Sequence, residues 1–397
     1  MGRPLARHLV PVRSEALQPG MYVAELDRSW LHVPLPAAGF LITDQAQVEQ
    51  LQQLCHHVYV DTTLSEQPPV PNAVTQRPAP TVRPTATGER LLAARRVLDE
   101  VLHGMAAIVR DARQRGRIDK AAVTRCAVLL AGEAGGNAPV LHYCLRREEH
   151  GSFLCRRAAG TALAVNLLGQ RLGIDRHTLQ DLTIGALLLD LGKIAVPVPI
   201  LAKPAALTTE EQLYVRRHVE RGLEFVAAAE LPARAVEMIA THHERLDGSG
   251  YPQQLCGTAI PVFGRLAAIA DAYDAMTLNR RYAAALSPPA ALRQLAGLAG
   301  DQFDAALVGE LAGALGPYPS GTLVELADGS VGLVHAGSPV RPEVLLSHDA
   351  QRRPLAAPAV VFIGDEADIF RALPPNAVAI GTAELERALG CRPAAGG

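Results

Sequence analysis

Residues 242–252 read His242-His243-Glu244-Arg245-Leu246-Asp247-Gly248-Ser249-Gly250-Tyr251-Pro252. Two adjacent imidazoles run straight into two glycines, an aspartate and a proline, a composition that forces an ordered turn directly after the double histidine. Glycine and proline also gather in ordinary helix-ending loops, so the turn alone assigns no role. Its company gives it weight. Leu189-Asp190-Leu191-Gly192-Lys193, His218 and Asp271 likewise set polar groups among apolar neighbours. A carboxylate or imidazole on a buried helix face costs on the order of several kcal/mol unless it is paired, hydrogen-bonded or bound to metal. Taken singly, each of these residues reads most simply as a satisfied core polar group. Taken together, they are the side chains that ligate divalent ions.

The surroundings of these segments are helical. From Glu89 to about Leu315, apolar residues recur at three- and four-residue intervals, as in Leu91, Leu92, Val97, Leu98, Val101 and Leu102. Thr208-Thr209-Glu210-Glu211 offers a capping hydroxyl with carboxylates in the first turn, and predicts a helix from there to about Ala229. Upstream, Pro19-Gly20 precedes a β-like Met21-Tyr22-Val23, a helical stretch spans Val48 to Leu54, and Val58-Tyr59-Val60 closes the segment. Residues 1–66 therefore form a small α+β module. Prolines at 68, 69, 71, 78, 80 and 84 mark residues 67–88 as an extended linker. Beyond Pro317, two β-like runs flank Asp328-Gly329 and predict a hairpin. One further strand is expected at Val360 to Ile363, within a loose tail that completes residues 316–397. The fold class is mainly α: a helical bundle preceded by a small α+β domain and followed by a short β-rich extension.

Composition narrows the function. At 397 residues and 49% hydrophobic, the chain can bury a core in more than one domain without staples. Its formal charge of -2 excludes a protein that binds nucleic-acid polymers by neutralising phosphates. Cysteines at 55, 126, 144, 155, 256 and 391 form neither a CxxC pair nor a regular framework, which points to a reducing cytoplasm. The most apolar stretch, Ile184 to Ile200, is broken by Asp190, Lys193 and two prolines, so no membrane span is expected.

The run at 242–252 resembles the defining motif of HD-GYP domains, a subgroup of the HD metal-dependent phosphohydrolases. Other stretches agree in order and spacing. Gly185 to Pro197 is similar to the family segment containing His-Asp-x-Gly-Lys, and Ile200-Leu201-Ala202-Lys203-Pro204 to its Ile-Leu-x-Lys-Pro. Ile269 to Thr277 is similar to its Ala-Asp-x-x-Asp-Ala helix, and the likeness runs from about residue 150 to 315. Residues 17–23 and 26–30 resemble the small domain often found ahead of HD-GYP domains. The resemblance implies a helical bundle holding iron or manganese ions that hydrolyses cyclic di-GMP to pGpG or GMP. It further implies Asp190, His218, His242, His243 and Asp271 as metal ligands, with Asp190 and Lys193 in the catalytic centre. Tyr251, Arg280, Gly250 and Pro252 are implied in nucleotide binding.

The departures shape the functional expectation. Leu189 stands where the name-giving histidine would precede Asp190. Counting back without gaps from Leu172-Gly173, the earlier family histidine falls on Arg157 and a glutamate one turn before it on Phe153. Neither can ligate, and recruiting His150 or Cys155 instead requires a local shift of the helix. Ala283 replaces a second basic residue. By the resemblance, one site loses both imidazoles and keeps only Asp190 and Asp271, while a neighbouring site of His218, His242 and His243 with Asp190 survives. The expected cofactor is thus one divalent ion or none. The expected function is a degenerate HD-GYP protein that binds cyclic di-GMP, a partner such as a GGDEF-type diguanylate cyclase or other signalling protein, or both, with weak or no hydrolysis. The alternative is an active phosphodiesterase with a reduced or rearranged metal site.

Overall fold

The computed structural model describes residues 9–26, 39–55, 57–67, 87–147, 152–203, 205–278, 285–338, 341–363, 369–374 and 377–378. The expected linker lies largely outside them. In the N-terminal module, β1 (Leu9–Arg13), β2 (Tyr22–Leu26), β3 (Phe40–Leu41) and β4 (His57–Asp61) form an antiparallel sheet in the order β1-β4-β2-β3. The helix α1 (Gln45–Leu54) is capped by Asp44, whose carboxylate accepts from the Gln47 amide at 2.9 Å. Val12, Val23, Val48, Leu51, Val58 and Val60 close its small core.

The bundle follows as expected. It comprises α2 (Thr87–Arg115), α3 (Lys120–Arg147), α4 (Phe153–Arg171), α5 (Arg176–Leu188), α6 (Val198–Leu201), α7 (Thr209–Arg216), α8 (His218–Val226), α9 (Ala233–Thr241), α10 (Val262–Thr277), α11 (Pro288–Gly297) and α12 (Ala305–Leu315). Its core runs through Leu98, Met105, Leu130, Leu141, Leu163, Leu188, Met238, Ile269 and Leu311. Among the described residues no helix is long and apolar enough to cross a membrane. The Thr208 capping box forms, with Glu211 returning the bond to the Thr208 amide. The helix expected to reach Ala229 is nevertheless interrupted at Arg217, between α7 and α8. The break turns His218 into the core, where it is 1% exposed.

The C-terminal region departs further from expectation. The predicted hairpin is present as β5 (Leu323–Leu326) and β6 (Val331–Ser338), with Asp328 accepting from the Ser330 amide in its turn. Between residues 341 and 373, however, β7 (Arg341–His348), β8 (Pro354–Phe362) and β9 (Ile369–Leu373) complete an antiparallel sheet in the order β8-β7-β6-β5-β9 where a single strand was expected. Both faces of this sheet are buried. Leu323, Leu333, Leu345 and Val360 pack against the bundle, while Val324, Val334, Val344 and Val361 form a core of their own. Strands buried on both sides lose the alternation that reveals a half-exposed strand. The N-terminal module rests on the last strand, where the Tyr59 hydroxyl donates to the Ile369 carbonyl at 2.7 Å and the Tyr59 ring meets Phe370 edge-on at 5.3 Å.

Candidate metal centre

The helix α5 stops at Leu188, and Asp190 opens a tight 3-10 turn over Leu191–Ala195. That turn brings Lys193 back one step, so that its Nζ donates to Asp190 Oδ2 at 2.7 Å. Gly192 allows the turn to lie against the start of α8. A Cβ there would collide with the His218 carbonyl oxygen and come within 2.5 Å of the Gly222 amide nitrogen. The same contact fixes His218 opposite Asp190, with Nε2 at 3.4 Å from Oδ1. His242 and His243 follow the end of α9, their ring centroids 4.1 Å apart.

Asp190, His218, His242 and His243 each present a ligand atom, all within 4.8 Å of one another. The hydrogen bonds around them determine what those atoms can do. His218 Nδ1 lies 2.7 Å from the Val215 carbonyl oxygen, and His242 Nδ1 lies 2.9 Å from that of Ile239. A carbonyl only accepts, so each Nδ1 carries the proton and each Nε2 keeps a bare lone pair. The two Nε2 atoms then face each other at 3.5 Å with no proton between them. Asp190 Oδ1 and His243 Nε2 are buried without a hydrogen-bond partner. Asp190 Oδ1 and the Nε2 atoms of His218 and His242 converge as acceptors beside the unpartnered His243 Nε2, a set that fits a cation, and the backbone carbonyls orient two of the imidazoles for it.

Electrostatics reinforces this arrangement. Burial pushes His218 down to about 4 against the pull of Asp190, and lowers His242 as well. His243 is driven well below its ordinary value by burial and by its histidine neighbours. All three rings are therefore neutral near pH 7, the form that ligates. The short contact between His218 and Asp190 is accordingly not an ion pair. Burial opposes ionisation of Asp190, but Lys193, with Arg157 and, once protonated in acid, His218, holds its carboxyl far below the usual range.

The loop at 247–256 forms a wall beside the cluster. Glu244, 1% exposed, accepts from the Gln253 amide at 2.7 Å and the Leu255 amide at 3.0 Å. Gly250 lies so close to the end of α9 that a Cβ would sit 2.5 Å from the Arg245 amide nitrogen and from Glu244 Cα. The backbone then bends at Pro252, and the Tyr251 ring stacks on His243 at 4.6 Å with the Arg216 guanidinium 5.0 Å from its centroid.

Of the five residues expected as ligands, four present ligand atoms within 4.8 Å of one another, and Asp271 is not among them. Its Oδ1 accepts from Nη2 of Arg157, whose Nη1 donates to Asp274 Oδ2 at 2.5 Å and to the Asp271 carbonyl at 3.2 Å. Arg157 on α4 and both aspartates on α10 are buried. Lys193, Tyr251, Gly250 and Pro252 fall on the turn and loop beside the cluster. Arg280, Ala283 and His150 lie outside the described residues. Cys155 is buried in a hydrogen bond with Ser152 and does not join the cluster, and Phe153 is exposed. Sequence reasoning assigned no part to Asp274 or to the Glu244 carboxylate. No local pattern could have revealed either, since their partners are set by the fold.

Residues 147–307 match a family model described as HD domain, and residues 9–123 match one described as a domain of unknown function, DUF3391. The chain is 29% identical over 362 residues to a cyclic di-GMP phosphodiesterase of Pseudomonas aeruginosa, covering 88% of this chain and 87% of that protein. It is 38% identical over 140 residues to the cyclic di-GMP phosphodiesterase response regulator RpfG of Xanthomonas campestris, covering 35% of this chain and 37% of that one. Among solved structures, an HDG"Y"P protein from Bdellovibrio bacteriovorus aligns with a TM-score of 0.47 at 16% identity, covering 76% of this chain and 98% of its own.

Proposed function

We propose that the chain, whose residues 147–307 match an HD-domain model and whose 242–252 run resembles the HD-GYP motif, binds cyclic di-GMP beside a single divalent ion and hydrolyses it weakly or not at all. The observation that carries this reading is the convergence of one ligand atom each from Asp190, His218, His242 and His243, with Asp190 Oδ1 and His243 Nε2 buried and unpartnered. An ion held there, iron or manganese by family resemblance, would supply Lewis-acid neutralisation of a phosphodiester oxygen. The chain's own groups do the rest of the recognition. Lys193 Nζ, held by Asp190 yet partly open to solvent, places a positive charge for a phosphate next to the cluster. Tyr251 offers an aromatic surface for a base, and burial raises its hydroxyl so that it remains a donor. Hydrolysis between two ions needs a second set of ligands that holds an ion about 3.5–4 Å from the first. Leu189, buried in the core beside Asp190, contributes none.

The second reading is an active phosphodiesterase. It is favoured by Lys193 and three neutral imidazoles remaining within reach of Asp190. Manganese-loaded protein incubated with cyclic di-GMP, with products resolved by chromatography, separates the two, and a calorimetric titration runs in parallel. Binding with little or no pGpG or GMP supports the first reading. Turnover matching that of the relatives supports the second, and absence of binding refutes the nucleotide assignment altogether.

A further inference from the structure

Arg157 is placed as no lost ligand need be. Its guanidinium bridges two buried carboxylates on α10 from a neighbouring helix, one nitrogen on Asp271 and the other on Asp274, and it also binds the Asp271 backbone carbonyl. The packing is built to admit this fork. Gly160, almost one turn beyond Arg157 on α4, leaves the space that the Asp274 carboxylate fills, since a Cβ there would collide with Asp274 Oδ1. On the far side Arg146 of α3 donates to the Thr277 carbonyl at 3.0 Å and to the Tyr273 hydroxyl at 3.4 Å, so α10 is tied to two helices through fixed cations.

The charge balance is equally specific. Asp190, Asp271 and Asp274 are the carboxylates, and Lys193 and Arg157 answer them within contact distance. Three carboxylates against two cations leave a charge of -1, which one divalent ion takes to +1 and a second would take to +3. A second ion at Asp271 would have to face a guanidinium that keeps its proton at any working pH and already holds Asp271 Oδ1. A planar fork that holds two carboxylates supplies the cross-link and the positive charge of a metal without having to be acquired.

We propose that Arg157 is a built-in cation that replaces a metal ion at Asp271 and Asp274, closing that side of the site so that the chain loads one divalent ion only, on Asp190, His218, His242 and His243. This goes beyond the nucleotide reading, for it holds whether or not the protein takes cyclic di-GMP.

The test is metal stoichiometry. Full-length protein is equilibrated with manganese, desalted and analysed by elemental mass spectrometry, with thermal melting recorded in manganese and in EDTA. The wild type is expected to saturate at one ion per chain, and Asp271→Asn to leave that value unchanged. Arg157→Gln is expected to melt lower in EDTA, to recover part of the loss in manganese, and to take up a second ion. Arg157→Lys, which keeps the charge, should remain at one. Zero or two ions per wild-type chain, loss of the bound ion in Asp271→Asn, or a folded Arg157→Gln that still stops at one ion overturns the proposal. If Arg157→Gln does not fold, the wild-type and Asp271→Asn values decide alone, and neither depends on nucleotide binding.

Discussion

Replacing Glu244 by alanine removes the one carboxylate that accepts from both the Gln253 and Leu255 amides. A hydrogen bond to a charged acceptor contributes about 1.5–3 kcal/mol net. Gln253 is exposed and Leu255 half-buried, so water can reach both amides once the loop lifts. The lower end of that range therefore applies, or about 3 kcal/mol for the pair. At about 1.4 kcal/mol per factor of ten, hydrogen exchange at these two amides should accelerate roughly a hundredfold. The loop retains its second anchor, the Tyr251 amide donating to the His243 carbonyl at 3.2 Å. Opening should accordingly be local, and protection in α4 and α10 should stay as in the wild type. Exchange measured by mass spectrometry or NMR reads both quantities. Unchanged protection at Gln253 and Leu255 would show that Glu244 does not hold the loop, and the argument that the wall beside the cluster is pinned from beneath would fail.

Two other perturbations probe separate parts of the molecule. Gly192→Ala places a methyl against the backbone of α8, where nothing can rotate away. It should cost about 1–3 kcal/mol or more in denaturant unfolding and weaken manganese binding, because Asp190 and His218 are pushed apart. Equal stability and affinity would show that the close approach is dispensable. At the seam between the bundle and the C-terminal sheet, burial lowers His142 to about 3, with Arg146 assisting, and His335 to about 4. Both stay neutral when folded, whereas the unfolded chain gains protons as pH falls through 6.5, so stability present above that pH is lost on the way down to about 4. Each histidine contributes about 1.4 kcal/mol per pH unit across this window. His335→Gln should flatten the decline between pH 6.5 and 4.5 in denaturant titrations, and a slope equal to that of the wild type would contradict the assignment.

The helical bundle and the α+β module could be read from the amino-acid order because each rests on local spacing, whereas the candidate ligands were named through the family resemblance, and four of the five converge. Apolar residues three and four apart announced the helices. The double histidine with its Gly-Tyr-Pro turn, and Asp190 with Lys193 three residues on, carried that resemblance. The turn that seats His218 opposite Asp190 was only half legible. Gly192 is visible in the sequence, but the break at Arg217 is not, because favourable helix residues surround it.

What tertiary structure alone decided is the partner of each buried charge. Arg157 meets Asp271 across 114 residues and Asp274 across 117, and no periodicity encodes such a pairing. From the sequence Arg157 marks only a missing imidazole, whereas in the fold it is a positive charge with two carboxylates of its own. The C-terminal sheet escaped notice for a related reason, since its strands are covered on both faces and alternation appears only where one face meets water. Local patterns specify which elements form and which donors they carry. Which donors converge, and which are already engaged, depends on how the helices pack.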